Sequence, residues 1–445
     1  MGLLDFYDVR ILESQNTSII LDTGEIEECS TKFSKGAAIR ALAGGSWGFT
    51  TTDDLSKINE ALEAAKKIAL HINKQKPRHK ISLAPAPKIS KIVQMKIKIK
   101  KHPKAIGIEE KLSLLKDIER AAMLDQVVST VVAYSESYTR VKYENSEGVD
   151  GEYELMRTGF SVTAVAKEGD IMQLARRRKF GVCGYEIMEE DPLAIASDAA
   201  KCAKELLKAK TAKGGYFPVL MDQELAGVFI HEALGHAAEA DAVLEGSSIL
   251  EGKLGSKIAS ELITVYDDPT IEGFGYYPFD DEGIESKRTV IIERGILKSY
   301  LHSRETAAKL GGKPGNARAE GYAKPIVRMS NTFIENGDYS FEELLEELKN
   351  GIYLKGSRGG QVDPGLGIFQ FNAERGYLIE NGELTVPLRD VSLSASTLEI
   401  LQNVIALGND LKLNAARCGK GGQMVPVGDG APHILVSKAL VGGSA

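Results

Sequence analysis

The sequence is poor in several features that would mark common protein classes. Four cysteines occur in 445 residues, with no CxxC pair. Cys29, Cys183, Cys202 and Cys418 are scattered, and a disulfide framework is not expected in a chain this long. No run of about 18 apolar residues occurs, so no membrane span is expected. The opening MGLLDFYDVR has no basic start leading into a long apolar segment, and Phe6 spoils a myristoylation signal. A cytoplasmic location follows as the expectation. Basic excess is also missing: the net charge of −7 argues against a general nucleic-acid binder. There is no fixed-period repeat and no low-complexity tract.

What remains is ordinary for a globular protein, with 43% hydrophobic and 26% charged residues. The length exceeds what one core usually supports, so two or three domains are expected. Short strands are read at 16–21 and 37–42, with a turn at Asp22-Thr23-Gly24 and another at Gly44-Gly45 before Trp47. Leu55, Ile58, Leu62, Ala65 and Ile68 carry a helical period, as does 108–124. Residues 127–174 read as an antiparallel meander with turns near Ser146-Glu147-Gly148 and Gly169-Asp170, followed by an Ala- and Lys-rich helix over 191–210. Thr211 to Gly215 is the best linker candidate. Beyond it come a strand at 216–221, then strand-like runs among many turns, with helices at 341–350 and 307–310. The expected class is α+β. Residues 1–215 form an N-terminal α/β region with antiparallel strands and an internal break near 105–125. Residues 216–445 form a mostly antiparallel β domain that carries the chemistry.

From Lys76 to Lys104 there are ten Lys or Arg and no acidic residue. Val93, Met95, Ile97 and Ile99 alternate with Gln94 and lysines, the period of a half-exposed strand, so a solvated edge strand is favoured over a nucleic-acid patch.

The chemistry concentrates at DQELAGVFIHEALGHAAEAD, residues 222–241, which holds two of the seven histidines. His231 and His236, with Glu232 beside the first, are the parts of a catalytic zinc site. The familiar H-E-x-x-H spacing is four; here it is five, which rotates the second ring roughly 140° from the first on a regular helix. A π-type turn closing i to i+5 would restore a shared face, and Gly235 lowers the cost of distortion. Asp222 is a plausible N-cap, and Val228-Phe229-Ile230 suggests a helix entering the core. A third ligand is required. Glu239, three residues beyond His236, and Cys418, beside Arg417 and Lys420 in a glycine-rich segment, are both candidates, with Asp241 also near; spacing does not choose between them. Gly44-Gly45-Ser46-Trp47-Gly48 matches G-x-S-x-G but lacks the following helix, and Asp280-Asp281-Glu282-Gly283 lacks EF-hand alternation; both read as turns. Gly419-Lys420 is followed by Gly421, which rules out a P-loop.

Taken together, HEALGHAAEAD (231–241), VYDDPT (265–270), FDDEG (279–283), GNAR (315–318), RMSNT (328–332) and CGKGGQMVPVGDGAP (418–432) resemble the TldD/PmbA family of metalloproteases, TldD branch. YDVR (7–10) and GGSWGF (44–49) extend the resemblance across the chain. It implies one zinc per chain on His231, His236 and Cys418, with Glu232 as general base. It also implies hydrolysis of unfolded or flexible peptides, as in peptide-antibiotic maturation and antitoxin removal. The PmbA (TldE) branch lacks the metal motif and serves as partner, so a homodimer or a heterodimer with a PmbA/TldE-like chain is expected. Arg318 and Arg328 are candidates for an oxyanion donor. The rival reading, from the family's older description, is a non-catalytic regulatory subunit that modulates DNA gyrase through a partner.

Overall fold

The computed structural model describes residues 4–75, 80–86, 92–96 and 99–443. The fold is mixed α+β. The N-terminal half is built on one sheet: β1 (Phe6–Asp22), β2 (Glu25–Ala43), β3 (Ser46–Thr52), β4 (Ile92–Lys96), β5 (Val127–Asn145), β6 (Asp150–Glu168) and β7 (Ile171–Gly181). Their order is β3-β2-β1-β5-β6-β4, with β7 also paired to β6. All these pairings are antiparallel except β4 with β6.

β1 and β2 are far longer than the short strands expected. Their register runs unbroken in direction from Phe6↔Leu42 to Asp22↔Glu25. The polar first half of β2, from Glu25 to Lys35, shows no apolar period because its side chains lie mostly in water. An antiparallel ladder continues there because its backbone bonds do not require a buried face. The basic segment resolves in part: Ile92–Lys96 is a strand at the sheet edge, whereas Ile97 and Lys98 lie outside the described residues.

The two faces of this sheet have different partners. Ile19, Tyr134 and Phe160, aligned across β1, β5 and β6, pack against α2 (Ile108–Ala122) and α3 (Pro192–Lys208) through Leu115, Ile118, Ala199 and Leu206. The opposite face carries Leu12, Val141 and Tyr153, which meet Tyr276 and Phe279 of the C-terminal half. Helix α1 (Ile58–Lys74) covers β2 and β3; Gly48 is required there, because a Cβ would lie 1.8 Å from the Ala65 carbonyl oxygen. The GGSWG segment is a hairpin turn, as expected.

Buried charges clasp the halves together. Arg40 binds Asp8 and reaches Glu282 at 3.2 Å. Arg10 donates to the Gly321 and Ala323 carbonyls, each at 2.8 Å, and pairs with Asp281 at 3.2 Å. The YDVR and FDDEG motifs are thus two sides of one contact. The linker candidate is pinned rather than slack, since Lys210–Thr211 pairs in parallel with Leu388–Arg389.

The C-terminal half places a short helix, α4 (Gln223–Phe229), against strands of two sheets, Gly351–Asp363 on one side and Gln423–Ala431 on the other. Leu225, Phe229, Ile230 and Leu234 are fully buried in the largest core. The sheets are mainly antiparallel, with parallel exceptions such as Ile352–Leu354 beside Val219–Met221 and Asn331–Phe333 beside Gly428–Gly430. Helices occur at Arg304–Leu310 and Phe341–Leu348 as read from the sequence, and also at Ala240–Leu244 and Thr397–Gln402, which are too short to show a period.

Candidate metal centre

Asp222 caps α4 by accepting from Leu225 N at 2.9 Å. The helix then changes pitch: Ile230–Gly235 is a π-helix, and His236 N donates to the His231 carbonyl at 3.3 Å, closing i to i+5. That turn brings the two imidazoles to a centroid separation of 5.3 Å, nearly perpendicular at 83°. Gly235 has a specific reason to lack a side chain, because a Cβ would sit 2.0 Å from Met329 Sδ. The requirement is close approach, and Gly235 is absent from the positive-φ glycines.

Cys418 arrives from a distant hairpin. Strand Lys412–Lys420 pairs with Gln423–Ala431, and Gly421 and Gly422, both left-handed at φ 57 and 73, make the two-residue turn. Cys418 Sγ lies 3.4 Å from His236 Nε2, and one ligand atom from each of His231, His236 and Cys418 falls within 4.8 Å of the others. His231 and Cys418 are only 3% and 2% exposed, whereas the Glu232 side chain is 38% exposed with Oε2 3.8 Å from His236 Nε2. Glu232 therefore stands at the open side of an otherwise buried cluster.

Glu239 does not compete for this position. Its Oε2 lies 3.0 Å from His236 Nδ1, the ring nitrogen facing away from Cys418, and 3.0 Å from Lys420 Nζ. Lys420 also contacts Asp241 at 2.7 Å and the Val327 carbonyl at 3.1 Å. Arg318 and Arg328 are committed elsewhere. Arg318 donates to the Met329 and Pro426 carbonyls; Arg328 donates to those of Cys418 and Gln423. They brace the walls, and the donor role expected for them has no geometric support.

The electrostatics suit a metal. Burial by itself would push the Cys418 thiol up, but His231 and His236 outweigh it and bring it down to about 5. Burial would likewise lower both histidines, yet Cys418 raises His231, and Cys418 with Glu239 raises His236 well above its ordinary value. Burial would raise Glu239, and His236 and Lys420 hold it below the usual carboxylate range. A thiolate and two imidazoles are a zinc donor set, and tetrahedral bonds of about 2.0–2.3 Å place ligand atoms roughly 3.3–3.8 Å apart. The 3.4 Å sulfur–nitrogen distance fits. So does the buried His231 Nδ1, which has no hydrogen-bond partner among the described residues.

The remaining motifs are scaffold. Buried Asp267 accepts from Ser330 N, Ser330 Oγ, Thr332 Oγ1 and Asn316 Nδ2, each at 2.8 Å. Asp280 accepts from the amides of Glu282, Ile284 and Ala317. Together they hold the Arg328–Met329 segment that backs Gly235 and Cys418. Sequence reasoning missed this role; the signal was an unusual density of short polar residues between strands. Cys183 and Cys202 lie away from the centre, and burial pushes both thiols up to about 11.

Three consecutive models of the PmbA/TldA metallopeptidases match the chain: domain 1 at 7–69, the central domain at 101–207 and the C-terminal domain at 214–443. The chain belongs to this metallopeptidase family. A metalloprotease of Methanothermobacter thermautotrophicus is 45% identical over 99% of this chain and 96% of its own. A zinc metalloprotease TldD homolog of Saccharolobus solfataricus is 32% identical over 92% and 90%. A crystal structure from Thermotoga maritima, described as a modulator of a DNA gyrase, superposes with a TM-score of 0.81 at 25% identity, covering 98% of this chain and 96% of that one. TldE from Thermococcus kodakarensis shares the fold, with a TM-score of 0.81 at 22% identity over 99% and 97%. The PmbA/TldD chain described here is a metalloprotease with a His231–His236–Cys418 candidate metal site. Among its described residues, no helix is long and apolar enough to cross a membrane.

Proposed function

We propose that the protein is a zinc-dependent peptidase, with one zinc per chain held by His231, His236 and Cys418 and with Glu232 as general base. The observation that carries this reading is the convergence of the three donor atoms within 4.8 Å, from segments 182 residues apart, with a half-exposed carboxylate at the rim. Zinc bound there would supply Lewis acidity, polarising a carbonyl and acidifying water to a pKa of about 7. The chain's own residues do the rest. Glu232 accepts the proton of the attacking water and returns it to the leaving amine. Glu239 fixes the His236 ring, and Arg328 anchors the Cys418 main chain.

The donors lie beneath the surface with Glu232 at the open side, which favours an extended segment over a folded chain as substrate. Unfolded or flexible peptides are the substrates we assign. Strand addition would accommodate them with broad sequence tolerance. We assign a dimer as the working form, with a second copy or a TldE-like chain, and light scattering after gel filtration tests it.

The deciding experiment is Glu232→Ala. The variant should keep its zinc by elemental analysis and lose cleavage of an unstructured peptide by about 10²–10⁴-fold. Cleavage at the wild-type rate would overturn the mechanism. The regulatory reading predicts little metal and no proteolysis by wild-type protein in the same assay.

A further inference from the structure

A second cleft, of about 530 Å³, lies between the N-terminal sheet and the C-terminal half. Its sheet wall continues the face that carries Leu12, Val141 and Tyr153, but the composition changes along the strands. The cross-strand pairs Ser14↔Thr139, Asn16↔Ser137 and Ser18↔Ser135 leave a surface of hydroxyls and one amide. Arg157, paired across to Ser137, is the cation on this wall. Arg318 and Arg417 face it from the C-terminal half.

These three arginines are unlike most others in the protein. Among the described residues, none of them has a carboxylate within ion-pair distance. Arg157 donates to the Phe274 and Tyr276 carbonyls at 2.9 and 2.8 Å. Arg318 is bound to two carbonyls and lies over the Tyr277 ring at 5.0 Å. Arg417 is exposed and lies 6.0 Å from the centre of the Phe274 ring, which Arg157 also approaches at 5.8 Å. The acidic groups lining the cleft are occupied. Glu136 binds Lys111, Asp281 binds Arg10, Asp280 takes three main-chain amides, and Glu320 takes Met424 N. Burial and the neighbouring Arg318 and Arg417 charges push Arg157 below the usual arginine range, so the guanidinium groups there are crowded together. A guanidinium cluster whose members are paired to no carboxylate, set on a hydroxyl-rich floor, is complementary to a carboxylate.

We propose that this cleft binds a carboxylate of the peptide substrate, either its free C-terminus or an acidic side chain, on Arg417 and Arg157, with the braced Arg318 adding only its charge from behind them. The proposal rests on the peptidase reading for the identity of the ligand. Adjacent residues of a strand project to opposite faces, so Arg417 and Cys418 put the anchor and the metal centre on opposite sides of one strand. The cleft thus holds the peptide away from the bond being cut and selects for charge rather than for the residues at that bond.

The test uses full-length, zinc-loaded Glu232→Ala protein and a fluorescent unstructured peptide in three forms. One has a free C-terminus and no acidic residue, one is its amide, and one is the amide with a single Glu. A carboxylate form should bind about tenfold tighter than the neutral amide, and whichever form does so identifies the source. Arg417→Gln, which breaks no side-chain hydrogen bond among the described residues, should bring that preference close to one, and Arg157→Gln provides the second variant. Equal affinities for the three forms, no measurable binding of any, or a preference untouched by both variants would each overturn the proposal. Wild-type protein that does not cleave while the preference persists would refute the peptidase reading alone. Cleavage without any preference would refute the cleft alone.

Discussion

Glu239 holds the Nδ1 edge of His236 at 3.0 Å while the Nε2 edge of the same ring faces Cys418. A carboxylate behind a ligand imidazole fixes its tautomer and raises its basicity. Lys420 completes the arrangement at 3.0 Å from the same carboxylate oxygen, so the cysteine hairpin and the histidine segment share one ion-pair network.

Replacing that carboxylate by an amide should therefore weaken metal binding without removing a ligand. Glu239→Gln is expected to lower zinc affinity about 10–100-fold, measured by competition with a chromogenic chelator. An affinity equal to wild type would mean that His236 is oriented by its packing alone.

The π turn depends on the contact between Gly235 and Met329. Gly235→Ala places a methyl 2.0 Å from Met329 Sδ, so the fully buried Met329 side chain has to shift. The expected loss is about 1–3 kcal/mol in urea denaturation. Met329→Ala should recover part of it in the double variant, which an unrelated folding defect would not allow.

Cys418 should behave as a thiolate well below neutrality once metal is removed. Its thiol is brought down to about 5, so the thiolate persists above that value and is lost as pH falls through it. In zinc-stripped protein, iodoacetamide labelling of Cys418, followed by mass spectrometry, should stay level from pH 8 to about 6. A model thiol of pKa about 8.5 slows tenfold per pH unit over that range. The same steep decline at Cys418 would contradict the assignment.

His302 supplies an acid-sensitive element outside the metal centre. Its ring is 1% exposed with Nδ1 3.1 Å from Thr306 Oγ1, and burial lowers its pKa from 6.5 to about 4. Above pH 6.5 the ring is neutral in both folded and unfolded chains. As pH falls from 6.5 toward 4, the unfolded chain takes up the proton first, and stability drops by on the order of 3 kcal/mol. His302→Gln should flatten this part of the stability–pH curve, while an unchanged slope would assign the loss to other groups.

Much of the fold could be read because its elements announce themselves locally. The periods at 55–68 and 108–124 are those of α1 and α2, and the meander from 127 onward is β5 to β7. The polar half of the β1–β2 hairpin was hidden, since a ladder whose side chains face water leaves no apolar alternation. At the site, the five-residue spacing of His231 and His236 by itself points to the π turn. Glu239 and Cys418 could not be ranked by spacing, because the decision lies in which edge of the His236 ring each one meets. The arginines of GNAR and RMSNT invited a catalytic reading, and only their carbonyl partners reveal them as supports.

By itself, the order of residues determined that two histidines and a glutamate would travel together on one segment, where both rings can face one ion only if the helix is distorted. The angle between residues five apart on a regular helix is the reason. Tertiary structure decided which candidate third donor lies beside the histidines, why Gly235 lacks a side chain and where the arginine cleft forms. Each depends on segments far apart in the chain: Cys418 on a hairpin 182 residues beyond His236, Met329 pressed against Gly235, and Arg157 brought to Arg417 by the packing of two halves. Local propensity acts over a few residues, whereas burial of the shared core selects which distant surfaces meet.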